Sequence, residues 1–288
     1  KKSELEYLFD QVDTNFGVSN RNDLHHNTLG LLFFEPSTRT RLSFESAITS
    51  LGGNSISLVE TNISSIEKGE NLTDTIKTLE QYVNAIVIRH SMEGSAKFAA
   101  EISNIPIINA GSGTEEHPTQ AMLDLYTIKK EKGTLDDLEI GILGDLKYSR
   151  TVYSLIYGLS HYSSKIHLIS PPSLNIRNDL MVELSNKISI HEYDNIEEVL
   201  GELDILYVTR IQKERFPDMQ EYQNVQGSYK IDLKLLEKSK DDLILMHPFP
   251  RTGEISSELD YTAKAKYFNQ IKYGKLLRAE LLRLVLTD

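Results

Sequence analysis

Seven short apolar runs punctuate this chain: LGLLFF (29–34), NAIVIR (84–89), IPIIN (105–109), LEIGILG (138–144), KIHLIS (165–170), DILYVT (204–209) and LILM (243–246). Each is too short for a core helix, and most are too continuous for a strand with one wet face. That is the pattern of strands covered on both sides. Helix-patterned stretches lie between most of them, including LSFESAITSL, QAMLDLYTIKK and TVYSLIYGLSHY. In the first of these, Leu42, Ala47, Ile48 and Leu51 are expected on one apolar face. Strands alternating with helices predict an α/β fold with parallel sheets. The charged segment KKEKGTLDD (129–137) splits the runs into two sections, and 288 residues suit two cores better than one. Two doubly wound domains are therefore expected, each a parallel sheet flanked by helices, with a boundary near residue 130.

The runs end in polar chemistry. LLFF leads to Glu35 and the STRTR segment, IVI to Arg89 and His90, and IPIIN to AGSGTEEHPTQ. In the second section IGIL leads to GDLKYSR, ILYV to TRIQKER and LILM to HPFPR. Open parallel sheets bind ligands at the carboxyl ends of their strands, so these loops are expected to line one cleft.

Composition narrows what the cleft can do. No run approaches 18 apolar residues, so no membrane span is expected. The start, KKSELEYLFDQV, is charged and helix-patterned, unlike a secretory signal. There is no cysteine, which removes thiolate metal sites and disulfides and makes the cytoplasm the default setting. Lys and Arg total 31 against 42 Asp and Glu, a net charge of −11 that disfavours nucleic-acid or anionic-membrane partners. An anionic ligand would need positive charge concentrated locally.

STRTR offers such a concentration. Ser37 or a neighbour can cap the helix that follows, and the first-turn N–H groups present the positive end of the helix dipole. The hydroxyls of Ser37, Thr38 and Thr40 add donors, and Arg39 adds a bidentate fork. The segment suits a phosphate; it also reads as a capped helix with a solvated basic first turn. Arginine opposes the dipole there, a conflict that a bound anion would remove. His117, just before a helix, is either a structural histidine or a donor to a polarised carbonyl, with Gln120 one turn on. Arg150 opens another helix. Arg210 and Gln212 share one side of an extended segment, followed by Glu214 and Arg215, either as a salt-bridged loop or as a carboxylate grip. GILGDLKYSR lacks the G-x-G-x-x-G spacing, and the next strand ends without a ribose-binding acid, so a dinucleotide site is not expected.

Taken in order, FFEPSTRTRLSFE, SSIEKGENLTDTI, IVIRH, INAGSGTEEHPTQAMLDLYTI, GDLKYSRTVYSL, DILYVTRIQKER and HPFPR resemble the aspartate carbamoyltransferase catalytic-chain family across nearly the whole sequence. STRTR and HPTQ alone would reach only the wider transcarbamylase superfamily. The resemblance implies that Ser37, Thr38, Arg39 and Thr40 hold the phosphate of carbamoyl phosphate. It implies that Arg89, His117 and Gln120 complete that pocket, and that the Phe249–Pro250 turn touches the carbamoyl amide. Arg150, Arg210 and Gln212 would receive the carboxylates of aspartate. Ser64 and Lys68 would reach a neighbouring subunit's site. Glu35 would be an interdomain partner of Arg150 and Arg215, and Glu214 would orient Arg210.

The implied division is a carbamoyl-phosphate domain of residues 1–130 plus 270–288 and an aspartate domain of 131–269. The amphipathic C-terminal helix (274–286) would pack back on the first domain. The implied assembly is a cytoplasmic catalytic homotrimer, allosteric where regulatory chains join it. No cofactor or metal is implied for this chain; a zinc site, where the assembly has one, belongs to another chain. Two positions depart from the family pattern. Phe249 replaces the usual Leu, a small change if the position serves through its backbone. Gly253 stands where some members carry an Asp that bridges to a loop tyrosine, so Tyr222 would lack that partner. Two rivals remain: a transcarbamylase for another amine such as ornithine, whose side-chain cation two arginines would repel, and a non-catalytic anion-binding relative.

Overall fold

The computed structural model describes residues 1–18, 21–59, 70–113, 116–216 and 218–287. The chain divides into two compact units, Lys1–Leu123 with Lys272–Asp288, and Asp124–Ile271.

In the first unit, helix α1 (Lys2–Thr14) precedes β1 (Thr28–Phe33), α2 (Thr38–Ser50), β2 (Asn54–Val59), α3 (Leu72–Leu79), β3 (Ala85–His90), α4 (Ser95–Ile102) and β4 (Ile107–Ser112). The four strands form one parallel sheet in the order β2-β1-β3-β4. Strand periodicity explains why both faces are covered. Leu29, Leu31 and Phe33 of β1 join Ala85 and Val87 of β3 beneath Phe44, Ala47 and Ile48 of α2. The alternate residues Leu32, Ile86 and Ile88 meet Ile76 and Leu79 of α3 and Ala96 and Ala99 of α4 on the other face. Within α2 the inward stripe is Thr40, Phe44, Ala47 and Ile48, whereas Leu42 is half exposed and does not share it.

Helix α5 (Pro118–Lys132) carries the chain into the second unit. There follow β5 (Glu139–Leu143), α6 (Arg150–Leu159), β6 (Lys165–Ile169), α7 (Asn178–Ser185), β7 (Ser189–Tyr193), β8 (Ile205–Val208), α8 (Met219–Val225), α9 (Leu233–Leu236) and β9 (Ile244–Met246). The sheet is again parallel, in the order β7-β6-β5-β8-β9. One face buries Leu143, Ile169, Leu206, Val208 and Leu245 against Leu200, Leu203, Leu236 and Leu259, while Ile140, Ile142, Ile205 and Tyr207 fill the other.

The last helix, α10 (Tyr267–Thr287), places Ala279 and Leu282 in the first unit's core. Arg278 donates to Ser43 Oγ at 2.9 Å, and the buried Glu280 binds Arg21 and Arg283. The C-terminal helix therefore packs on the first unit, as expected. Two strands escape the apolar-run reading, β2 and β7, and both lie at sheet edges. SIHEY is mostly exposed and polar, so it lacks the buried signature of the central strands. Among the described residues, no helix is long and apolar enough to cross a membrane.

Candidate active site

In the first unit the polar strand ends converge on Arg89. Its Nε lies 3.1 Å from Glu35 Oε1, just beyond β1. Its Nη1 donates to the Ala110 carbonyl of β4 at 3.1 Å and approaches His117 Nε2 at 3.3 Å. Arginine can only donate, so His117 Nε2 is the acceptor and a neutral ring carries its proton on Nδ1. Three adjacent strand ends and the start of α5 are thereby tied to one guanidinium. Pro118 at the first helical position fixes where α5 begins, and His117 and Gln120 are buried beside it.

Ser37 occupies the N-cap of α2, but its side chain makes no capping bond. Ser37 therefore does not supply the cap with its hydroxyl, although Ser37 O accepts the Arg41 N–H at 3.1 Å as a helix start requires. The first-turn N–H groups of α2 stand at the positive end of the dipole. Thr40 is buried, whereas Thr38 and Arg39 are exposed. This is the donor arrangement of an anion site.

In the second unit the organiser is Asp145, a residue the sequence reading passed over. It is fully buried after β5, accepting the Tyr148 N–H at 2.9 Å on one oxygen and the Gln212 N–H at 3.2 Å on the other. Burial pushes its carboxyl above the usual range, against the pull of those N–H donors and of Arg215. Gln212 Nε2 adds a long bond to Tyr148 O at 3.4 Å. The loop ahead of α6 is thus stitched to the loop beyond β8, which brings Arg150, itself buried, into the same strand-end region as Arg210 and Gln212. Gly144 makes the turn possible: its φ is +133°, and an added Cβ would collide with the Thr209 carbonyl.

Arg210 forks Glu214, with Nη1 donating to Oε2 at 2.9 Å and Nη2 donating to Oε1. The pair holds the Glu214 carboxyl below its ordinary range and raises Arg210 further. Both remain charged at neutral pH, and the remaining guanidinium N–H groups can meet a carboxylate. Arg215 lies near Asp145 and Glu214 electrostatically. Glu35 has its ion pair with Arg89 inside the first unit.

Phe249 sits at φ +57° in the turn after β9, the left-handed region that side chains rarely adopt. Its ring packs edge-on against Tyr267 at 5.8 Å, and the Arg251 guanidinium lies 5.4 Å from the ring centre. Tyr222 packs on Phe216 and under Lys213, while Gly253 adopts φ +123°. Ser64 and Lys68 lie outside the described residues. Among the described residues no group of three or more acidic or histidine side chains could hold a metal.

Residues 1–130 match the domain described as "Aspartate/ornithine carbamoyltransferase, carbamoyl-P binding domain", and residues 136–285 match the corresponding "Asp/Orn binding domain". The chain is 54% identical to the aspartate carbamoyltransferase catalytic subunit of Nitrosopumilus maritimus, over all of this chain and 94% of that one. It superimposes on the catalytic subunit of M. jannaschii aspartate transcarbamoylase with a TM-score of 0.92 and 43% identity, covering 100% of this chain and 95% of that one. Against the Trypanosoma cruzi aspartate transcarbamoylase in complex with carbamoyl phosphate and aspartate, the TM-score is 0.93 at 36% identity, covering 99% and 94%.

Proposed function

The chain belongs to the aspartate/ornithine carbamoyltransferase family, and we infer that it transfers the carbamoyl group of carbamoyl phosphate to the amine of L-aspartate, giving N-carbamoyl-L-aspartate and phosphate, a step of pyrimidine biosynthesis. The observation that carries this reading is the pairing of two chemically distinct anion sets. The first unit offers the uncapped α2 start beside Arg89 and His117. The second offers the Asp145-stitched loops of Arg150, Arg210 and Gln212. An amine substrate with two carboxylates suits the second set; ornithine's side-chain cation would face two guanidinium groups there.

In this reading residues 1–130 with 270–288 bind carbamoyl phosphate and residues 131–269 bind aspartate. Ser37, Thr38, Arg39 and Thr40 hold the phosphate. Arg89, His117 and Gln120 hold the carbamoyl group, together with the backbone of the Phe249–Pro250 turn. Arg150, Arg210 and Gln212 grip the two carboxylates, with Glu214 fixing the Arg210 fork. Glu35 anchors Arg89, and on domain closure it and Arg215 belong to the interdomain contacts that the family resemblance implies.

The neutral amine of aspartate attacks the carbamoyl carbon, and the carbonyl π pair moves onto oxygen. Thr40, Arg89 and His117 stabilise that oxyanion, each donor contributing roughly 10²–10³ in rate. The C–O bond to phosphate then breaks, the oxyanion collapses, and the amine's proton leaves with the phosphate. No covalent enzyme intermediate is required, so orientation and electrostatics carry the catalysis.

Turnover of carbamoyl phosphate with aspartate but not ornithine is the expected result, and absence of aspartate-dependent phosphate release overturns the assignment. Arg39→Ala is expected to weaken carbamoyl phosphate binding without aspartate present, by roughly 10-fold to 100-fold. Calorimetry with unchanged affinity would remove Arg39 from the phosphate site.

The active assembly in this reading is a cytoplasmic homotrimer in which Ser64 and Lys68 complete the adjacent subunit's site, and regulatory chains confer any allosteric response. Arg39→Ala and Lys68→Ala chains are then each nearly inactive alone. Randomly mixed trimers recover about a quarter of parental activity, because a head-to-tail site needs its pocket from one variant and its loop from the other. No recovery in proven hybrids would show that Lys68 does not act across subunits.

A further inference from the structure

The HPFPR turn is held by a buried hydrogen-bond chain that the transfer chemistry does not itself use. β9 delivers His247, which is 1% exposed. Its Nδ1 accepts the Phe249 N–H at 2.8 Å, so that nitrogen carries no proton. The ring proton is therefore on Nε2, which lies 2.7 Å from Glu254 Oε1 and donates to it. The other carboxylate oxygen of Glu254 accepts the Thr252 N–H at 2.8 Å and the Thr252 hydroxyl at 3.0 Å. On the backbone side, His247 N–H donates to Gln270 Oε1 at 3.0 Å, and Gln270 Nε2 donates to Asp124 Oδ1 at 2.5 Å. Asp124 is fully buried and accepts the Tyr207 hydroxyl at 2.8 Å. Every polar atom named here has its complement, which is what a buried network needs to specify one geometry.

The segment so fixed is one that would not hold itself. Phe249 stands at φ +57°, a conformation a bulky L-residue adopts only when its surroundings impose it. Its N–H is fastened to His247 Nδ1. The ring can serve as that acceptor only while its proton stays on Nε2. Burial, opposed by Glu254, keeps the imidazole below its usual range, and burial of Glu254 is outweighed by its donors, which hold it at about 2. The same cluster lies within electrostatic reach of Arg210 and Arg251.

We propose that His247 is a positioning residue for carbamoyl transfer: held as the Nε2–H tautomer by Glu254, it sets the backbone of the Phe249–Pro250 turn that meets the carbamoyl amide. This rests on the reading that the turn serves carbamoyl phosphate. Two near-isosteric substitutions separate the two halves of the ring. His247→Asn places an acceptor oxygen near the Nδ1 position and gives up the Glu254 contact. His247→Gln places an amide N–H near the Nε2 position and gives up the Phe249 contact.

The expected result is a carbamoyl phosphate Kd within about threefold of parental for the Asn variant and raised about tenfold or more for the Gln variant. The Gln variant should also show a raised KM for carbamoyl phosphate and a lowered kcat, with the aspartate KM little changed. Equal losses in both variants, or the reverse order, overturn the proposal, because a merely structural histidine would not discriminate between its two nitrogens. Should either variant fail to fold, Glu254→Gln and Glu254→Leu probe the same link from its far side. The Gln variant keeps an acceptor for Nε2–H and should leave carbamoyl phosphate affinity near parental, and the Leu variant should weaken it; equal affinities in the two overturn the proposal. If the parental protein neither binds nor turns over carbamoyl phosphate, the functional reading itself falls; if it does both, these variants judge the positioning alone.

Discussion

Arg210→Ala is expected to raise the KM for aspartate roughly a hundredfold or more while the Kd for carbamoyl phosphate stays within about threefold. The asymmetry follows from the two anion sets residing on different units. Arg210 belongs to the loop after β8 and takes no part in the α2 start or the Arg89–His117 pair. Removing its guanidinium deletes a charge-assisted fork and also leaves the Glu214 carboxylate without its hydrogen-bonded cation, beside the place where aspartate would bring more negative charge. Arg210→Lys is expected to fail almost as badly. An ammonium can satisfy Glu214 as a point charge, but it cannot hold Glu214 and a substrate carboxylate in one rigid plane. Steady-state kinetics for aspartate, together with calorimetry for carbamoyl phosphate, read the two effects separately. Native aspartate kinetics in the Lys variant would contradict the fork.

The buried strands were legible because burial on both faces leaves continuous apolar runs, and β1, β3, β5, β6, β8 and the edge strand β9, itself buried, all fall on or within one residue of such runs. β4 was displaced: IPIIN marks its start, but the strand continues to Ser112 through small and polar residues. The edge strands β2 and β7 were invisible because an edge strand need not be apolar, and SIHEY is not. The Leu42 misplacement has a similar origin. α2 buries Thr40 at its first turn, so the inward stripe begins with a polar residue that a hydrophobic reading skips.

The candidate site was legible where it depends on residue type, as in the STRTR hydroxyls and arginines. It was not legible where it depends on what holds those residues. Ser37 sits at the cap without capping, because the helix start is not closed by its own side chain. Asp145, Gln270 and Asp124 act through hydrogen bonds to backbone or to partners 67 and 146 positions away in sequence, separations that carry no local pattern.

Asp145 gives the sharpest test of that hidden layer. Asp145→Asn conserves shape but replaces one acceptor oxygen with an N–H donor, which must then face either the Tyr148 N–H or the Gln212 N–H. Two donors pointed at each other in a fully buried position leave one backbone N–H unsatisfied, at a cost of about 1–3 kcal/mol, and push one loop off its place. The displaced loop carries either Arg150 or the Arg210–Gln212 segment, so kcat/KM for aspartate is expected to fall roughly 10²–10³-fold, since small misplacements of a positioning group are expensive. Carbamoyl phosphate affinity should stay near parental, because the residues proposed to hold its phosphate belong to the first unit and Asp145 belongs to the second. A double-mutant cycle with Gln212→Ala checks the route. If Asp145 acts by holding Gln212, the two losses will fall well short of adding. Additive losses would mean that Asp145 serves the site through the Arg150 loop instead, and native aspartate kinetics in the Asn variant would remove it from the site altogether.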